Sequence, residues 1–424
     1  MIKRITIVFL IIMCLLGETV QAMTFDNRYF PLFYRPYLRR LGVRGHAAIE
    51  PFFMIADRAT GSFDEDIPLP DIDGPFEEVR GSQYDLGLLA DALKESGKLD
   101  QVPFLLATGP HAKTASSVPF RRDGHLDGQG VAFYFEHYFN NCWSLGTSFF
   151  FMHVNARHEF CLDSSCSFPS VGTKQDFFRL KEELHDNLGV TPPLFSRTGF
   201  SDIDLFACYA HRWDYLCKFR SIMARFKAGI IIPTASTLCS ANPASVIIGG
   251  NNHFGLYFDV MADFEVKEDW YFSLWGRAIK RLPHDEHRRI PAKLEPSRYG
   301  AIQGLVNVNP GWTFMVCPSV TFEGLREGLG ARAAFTFVKH RADSVCDIRK
   351  DKTINVNLDQ LRGNRSSWGQ EYVSLTAFYD FAKFQECRSY LPTLSVSWDI
   401  PVQWKVSERS SKTNCVSIMV EADF

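Results

Sequence analysis

Long hydrophobic runs are missing from the sequence after its first 22 residues. The longest apolar stretches, such as AGIIIP at 228–233, have the length of a strand. A membrane-spanning helix needs about 20 apolar residues. An excess of one charge is also missing, because 46 Lys and Arg are balanced by 48 Asp and Glu. That balance argues against nucleic acid as a partner and against an electrostatic membrane anchor.

Metal-type cysteine spacing is absent as well. None of the 11 Cys forms a C-x-x-C pair, so the spacing predicts no metal site. Ten Cys remain after residue 22, an even number that is consistent with an oxidising compartment. Cys161 and Cys166, in CLDSSCS, are the candidate pair for a short-loop disulfide, with free thiols as the alternative.

The first residues have the pattern of an export signal. Lys3 and Arg4 precede an apolar stretch at 5–16, and Val20-Gln21-Ala22 forms a small-residue cleavage site. The alternative is a retained membrane helix, but an apolar stretch of about a dozen residues is short for that role. We expect 1–22 to be a cleaved signal peptide and 23–43 to be an N-terminal extension.

Apolar and polar side chains alternate strictly in HFGLYFDVMADFEV, 253–266. This two-faced segment is longer than the usual soluble strand of about 5–6 residues, and it is long enough for a tilted strand that crosses a bilayer. The pattern recurs along the chain. We therefore predict an all-β fold, a transmembrane antiparallel up-and-down barrel of twelve strands, with ten or fourteen as alternatives. The predicted strands are 44–58, 126–139, 142–160, 198–211, 215–234, 250–266, 270–282, 299–324, 329–342, 367–384, 390–404 and 414–424.

Short turns and long connections alternate between these strands, as they do in a barrel with a turn side and a loop side. The barrel is expected to cover 44–424. Residues 59–125 are predicted to form a long loop or plug-like insertion with a short amphipathic helix near 85–93. Residues 161–197 are predicted to form an extracellular loop with a helix at 174–188. Both read as small helical loop insertions that either gate the mouth or lie at its periphery.

The C-terminal residues NCVSIMVEADF also alternate, and the last residue is aromatic. Val416, Ile418, Val420, Ala422 and Phe424 share one parity. With the signal and the long two-faced strands, this ending resembles Gram-negative outer-membrane β-barrels, whose last strand typically ends in this way. The resemblance implies a bacterial outer-membrane location, contact with outer-membrane lipid, and recognition of those five residues by the barrel-assembly machinery. The N-terminal region resembles the hatch of the long-chain fatty-acid transporters, without a motif that assigns the chain to that family.

Charged side chains on the predicted inner face are the functional lead, since charges along a lumen tune solute selectivity. A bulge near 221–224 would place four of the cations on one face. The alternative is a salt-bridge network that closes the barrel. The candidate pore-lining residues are Lys218, Arg220, Arg225, Lys227, Asp259, Asp263, Arg277 and Arg281.

Catalytic patterns are not evident in the sequence. His284 and His287 lie in a loop without a third metal ligand, and no nucleophile elbow is present. We therefore expect a channel for small solutes, with no catalytic residues, metal or cofactor. A closed structural or adhesive surface barrel is the first alternative, and an outer-membrane hydrolase the second. Oligomeric state and solute are left open.

Overall fold

Twelve long antiparallel strands form a closed ring in the computed structural model. The model describes residues 27–31, 43–62, 65–73, 83–85, 119–162, 174–215, 218–291, 298–300, 302–350, 352, 356, 358, 366–381 and 391–424. The ring strands are β1 (Gly45–Ala56), β2 (Pro119–Tyr138), β3 (Trp143–Leu162), β4 (Ile203–Asp214), β5 (Ser221–Ile232), β6 (Gly255–Lys267), β7 (Trp270–Arg281), β8 (Trp312–Arg326), β9 (Leu329–His340), β10 (Trp368–Asp380), β11 (Leu391–Pro401) and β12 (Asn414–Asp423).

The ring closes where the last strand pairs with the first. Ile49 of β1 lies opposite Val420 of β12, and Phe53 lies opposite Val416. A hydrogen-bonded ring leaves no open strand edge, which is the condition for a sheet to sit in hydrocarbon. The prediction of an all-β, twelve-stranded antiparallel barrel is confirmed.

Shorter elements gather at the loop end of the ring. One small sheet joins His284–Ile290, Ile302–Asn309 and Ser344–Asp347, and another joins Arg58–Thr60, Asp66–Pro68 and Ser410–Ser411. Gln83–Asp85 pairs with the start of β2, and Leu194–Phe200 pairs with the outer half of β3. A 3-10 turn covers Leu69–Asp73, and helix α1 covers Lys174–Asn187. In the described ranges, no helix is both long enough and apolar enough to cross a membrane.

Several strand boundaries differ from the prediction, and two of the differences change which residues belong to the ring. The predicted strand 299–324 is interrupted after Asn309, so that Ile302–Asn309 belongs to a loop-end sheet and β8 begins at Trp312. Pro310 supplies no N–H to a ladder, which explains the interruption at that point. Residues 119–125, predicted as part of the insertion 59–125, belong to β2. The helix expected near 85–93 lies outside the described residues after Asp85.

The core lies inside the ring, where inward side chains of β1 and β3 pack together. Phe52 and Phe150 meet edge to face with centroids 6.1 Å apart, beside the fully buried Met54. Two segments from outside the ring strands join the same apolar cluster. The first contributes Tyr29 and Phe30, and the second contributes Val246 and Ile248. The apolar core therefore includes residues that are not part of the barrel wall.

Candidate functional site: the barrel interior

The outward face of the ring carries large apolar side chains that remain exposed. Leu256, Phe258 and Val260 of β6 are 40–48% exposed, and their neighbours Tyr257, Asp259 and Met261 are buried inside. Exposing so large an apolar belt to water would be unfavourable, whereas the hydrocarbon interior of a bilayer would cover it. The protein is a transmembrane β-barrel.

A row of charges crosses the inner wall on three adjacent strands. Lys227 of β5 lies opposite Asp259 of β6, which lies opposite Arg277 of β7. Arg277 donates two hydrogen bonds of 2.6 Å to the two oxygens of Asp259. Its Nη1 also lies 3.7 Å from Asp204 of β4. The guanidinium stands 4.2 Å from the centroid of the Tyr257 ring. Lys227 is partly buried, and Asp204, Tyr257, Asp259 and Arg277 are buried, so the Arg277 cluster is desolvated.

A second group of charges lies nearer the turn end. Arg225 approaches Asp263 at 3.4 Å. The Lys227 ammonium lies 3.9 Å from the Phe206 ring centroid and 3.5 Å from the Tyr134 hydroxyl. That hydroxyl in turn donates to Glu136 at 2.5 Å. The inner wall is thus polar and charged over several levels.

Exposure differs between these groups. Arg277 is 5% exposed and Asp259 is 3% exposed. Arg225, Lys227 and Arg332 are only partly buried although they point into the ring. The Arg332 side chain donates to the buried Ser319 of the neighbouring strand at 3.1 Å, which fixes its inward direction. These three inward-pointing cations therefore keep some solvent-accessible surface, although the Arg225 side chain is only 11% exposed.

The loop end of the interior is occupied by the connection 233–254. Arg281, at the end of β7, pairs with Asp202 at 2.9 Å and donates to the His253 carbonyl at 2.6 Å. Asp202 also accepts from the Gly250 amide at 2.7 Å. These contacts hold the connection against the wall and place Ile248 in the core.

The segment 27–31 occupies the same mouth. The hydroxyls of Ser411 and Thr413 donate to the Tyr29 carbonyl at 2.9 and 2.6 Å. The side-chain amide of Asn27 donates a hydrogen bond to the Ile247 carbonyl at 2.5 Å. The N-terminal segment is therefore tied both to the link before β12 and to the connection 233–254. No periodicity marks these residues in the sequence.

The predicted inward residues separate into two groups. Arg225, Lys227, Asp259, Asp263, Arg277 and Arg281 face the interior. Lys218 and Arg220 do not, because β5 begins at Ser221 and Lys218 adopts a left-handed turn conformation with φ 73°. The ladders on both sides of β5 are regular, so the predicted bulge near 221–224 is wrong. Arg220 instead pairs with Glu268 at the turn, at 3.2 Å.

The remaining predicted residues fall on the wall and its loops. Val416, Ile418 and Val420 point outward and are 46–50% exposed, and Ala422 and Phe424 share their parity. Cys161 is exposed at the end of β3, and Cys166 lies outside the described residues. No disulfide joins two of the cysteines that the structure describes.

The chain is similar to several solved outer-membrane proteins at very low sequence identity. The crystal structure of an outer-membrane channel from Pseudomonas putida F1 aligns with 9% identity, TM-score 0.49, and coverage of 95% of this chain and 100% of that one. The Pseudomonas putida toluene transporter TodX aligns with 10% identity, TM-score 0.31 and 89% of each chain. A Pseudomonas aeruginosa FadL homologue aligns with 9% identity, TM-score 0.33, and coverage of 90% and 91%. The sequence matches no family model and no curated protein.

Proposed function

We propose that the protein is a bacterial outer-membrane channel through which small solutes pass passively. The observation that carries this proposal is the partly solvent-accessible charge lining of Arg225, Lys227 and Arg332 inside a closed ring. About eight strands give a barrel whose interior is filled by its own side chains. Twelve strands enclose more space, and part of that space is filled by 27–31 and 233–254 rather than by the wall.

The mouth segments define a closed state of this channel. Each is attached by hydrogen bonds and by apolar packing in the core rather than by pairing with the ring strands. Displacement of these segments would open a path while the strand pairing of the ring stays intact. The channel performs no chemistry. It lowers the barrier to passage by replacing lipid with a polar interior. The other proposed partners are outer-membrane lipid around the belt and the assembly machinery at β12.

A closed surface barrel is the second candidate, and a specific observation favours it. Arg277, Asp259 and Asp204 are all buried, and their ion pairs bridge three strands of the wall. Such a network can have a purely structural role, in which it holds the wall together. In that case the protein would act through its outer loops.

Swelling of proteoliposomes separates the two candidates. The full-length protein is reconstituted and diluted into isotonic solutions of arabinose, glycine or potassium acetate. A channel predicts swelling at a rate that falls as the solute grows larger. Swelling no faster than that of empty liposomes for all three solutes would favour the closed barrel.

A further inference from the structure

Residues 402–407, which follow β11 at the loop end, fold back over the outer face of the wall, and we call them the outer strap. Their anchor is Glu371, which shares the outward parity of β10 and is only 2% exposed. Its carboxylate accepts hydrogen bonds from the Trp404 amide at 2.7 Å, the Lys405 amide at 3.1 Å and the Ser407 hydroxyl at 2.9 Å. Hydrogen bonds to an ionised carboxylate are strong, so the outer strap is held in one position on the wall.

The outer strap places an indole ring against aromatic side chains of the neighbouring strands. The Trp404 ring centroid lies 5.7 Å from that of Phe335 and 6.3 Å from that of Phe337, both on the outer face of β9. On β8, the rings of Trp312 and Phe314 stack with centroids 6.0 Å apart. Trp404 nevertheless remains 61% exposed. Aromatic side chains on the outside of a barrel lie at the membrane–water interface, so these rings mark the headgroup level of the surrounding lipid.

Two basic side chains lie over these rings. The Arg341 guanidinium carbon is 5.6 Å from the Phe314 ring centroid, and the Lys405 ammonium is 5.2 Å from the Trp404 ring centroid. Both basic residues are exposed. Because Phe314 and Trp404 face the lipid side of the wall, the two cations also lie on that side, at the level of the lipid headgroups.

The carboxylates in the same described segments are engaged by other groups. Glu408 accepts from a lysine of β9 at 2.5 Å, and Asp343 accepts from the histidine at the end of that strand at 2.9 Å. Glu371 is enclosed by the outer strap. Arg341 and Lys405 therefore present their charges outward, to whatever surrounds the barrel at this level.

We propose that this surface binds the phosphate-bearing headgroup of a lipid in the outer leaflet of the membrane. The guanidinium and the ammonium attract phosphate oxygens, and the exposed aromatic rings beside them contact the less polar part of the lipid. A membrane lipid is favoured over a free ion because the cations and rings share the outward face with the apolar belt. The long connections of such barrels lie on the outer side of the membrane. The proposal rests on the outer-membrane location proposed above, but it does not depend on solute passage.

Titration of the folded full-length protein in detergent with fluorescent lipopolysaccharide tests this site, and the same lipopolysaccharide without its phosphates is the second probe. We expect the wild type to bind the phosphorylated probe roughly twentyfold more tightly, because each cation near an anionic lipid contributes roughly fivefold in affinity. Arg341→Gln/Lys405→Gln should lose most of this preference. The matched control is Arg157→Gln, because Arg157 is an exposed arginine near the loop end of β3, on the opposite side of the ring, and pairs with Glu159 at 3.2 Å. The control should keep the preference.

Equal affinity of the wild type for the two probes, or an equal loss in Arg157→Gln, would overturn the site. If the double variant does not fold, each single variant replaces it and should lose roughly fivefold. Stabilisation by inorganic phosphate over chloride, without a preference between the lipid probes, would indicate a free-anion site and also overturn the proposal. A phosphate-dependent preference without any solute passage would support the lipid site and overturn the channel. Solute passage without that preference would do the reverse.

Discussion

Arg277 and Asp259 lie directly opposite each other on β7 and β6 and form a two-bonded ion pair inside the barrel, with both N–O distances 2.6 Å. The pair is buried, so each charge depends on the other for the interactions that water would otherwise supply. The pair lies in the middle part of its two strands. Substituting it therefore tests whether the interior charges hold the wall together.

Removing one member of this pair should destabilise the barrel strongly. We expect Arg277→Met to lower the free energy of unfolding by about 3–5 kcal/mol, because Asp259 would remain as a buried charge without its main partner. The double variant Arg277→Met/Asp259→Leu should lose less than the single one. Urea unfolding in lipid vesicles measures both, with Arg220→Met as the exposed control. A double variant at least as unstable as Arg277→Met would contradict this account.

Releasing the N-terminal segment should open the mouth. Ser411→Ala together with Thr413→Val removes both hydroxyl donors to the Tyr29 carbonyl. Each neutral hydrogen bond contributes about 0.5–1.5 kcal/mol, so the closed state would weaken by about 1–3 kcal/mol. We expect faster liposome swelling than for the wild type. Thr198→Val removes an exposed hydrogen bond to His153 of β3, which involves neither mouth segment, and should have no effect. An unchanged swelling rate in the double variant would argue against a gating role for 27–31.

Acid should destabilise the small loop-end sheet that contains His284–Ile290. Burial alone raises the pKa of Glu286, but the Arg288 guanidinium and the hydrogen bond from His253 outweigh it and lower this pKa to about 2 from its usual 4.5. A carboxyl group with a lowered pKa stabilises the fold above its ordinary pKa and loses that contribution as the pH falls from about 4.5 to 2. We expect the unfolding temperature to decline over that range in the wild type.

The matched variants for this pH dependence are Glu286→Gln and Glu268→Gln. Glu286→Gln should be less stable at neutral pH and should show a shallower decline below pH 4.5. Glu268, at the turn end, is 83% exposed in its side chain and serves as the control. Parallel pH curves for the wild type and Glu286→Gln would show that the pair with His253 does not contribute.

Much of this fold could be predicted from sequence because a membrane barrel repeats one simple pattern. Strict alternation and the succession of short and long connections predicted all twelve ring strands. The side chains of Ile302–Asn309 alternate in the same way, so alternation predicts this segment as part of a ring strand, and only Pro310 marks its separation. The prediction that Lys218 faces inward is wrong because the alternation of apolar and basic residues continues through the turn.

The site was less predictable, for a physical reason. Inward charges follow from parity, but their pairing depends on register, and a one-residue slip would exchange the two faces. The contacts at the mouth join residues far apart in the chain, such as Asn27 with Ile247 and Tyr29 with Ser411. No local pattern could have identified them.

Phe424 completes the closing strand, and its loss should impair assembly. Its amide donates to the Gly45 carbonyl at 3.0 Å, and its carbonyl accepts from the Gly45 amide at 2.9 Å. The phenyl ring of Phe424 packs closely on Gly45, and a methyl group added at Gly45 would lie 2.6 Å from that phenyl ring. We expect deletion of Phe424 to reduce the heat-modifiable, membrane-inserted fraction several-fold, whereas Val416→Ile should have no effect. Normal insertion of the truncated chain would contradict the assignment of this end as an assembly signal.

Conductance across a planar bilayer tests the central claim most directly. The wild-type protein and the Ser411→Ala/Thr413→Val variant are inserted in 1 M potassium chloride, and single insertions are recorded. The channel account predicts stepwise conductance in both proteins, with larger or longer openings in the variant. Insertion without conductance steps in either protein, with folding verified by heat-modifiable migration, would contradict it.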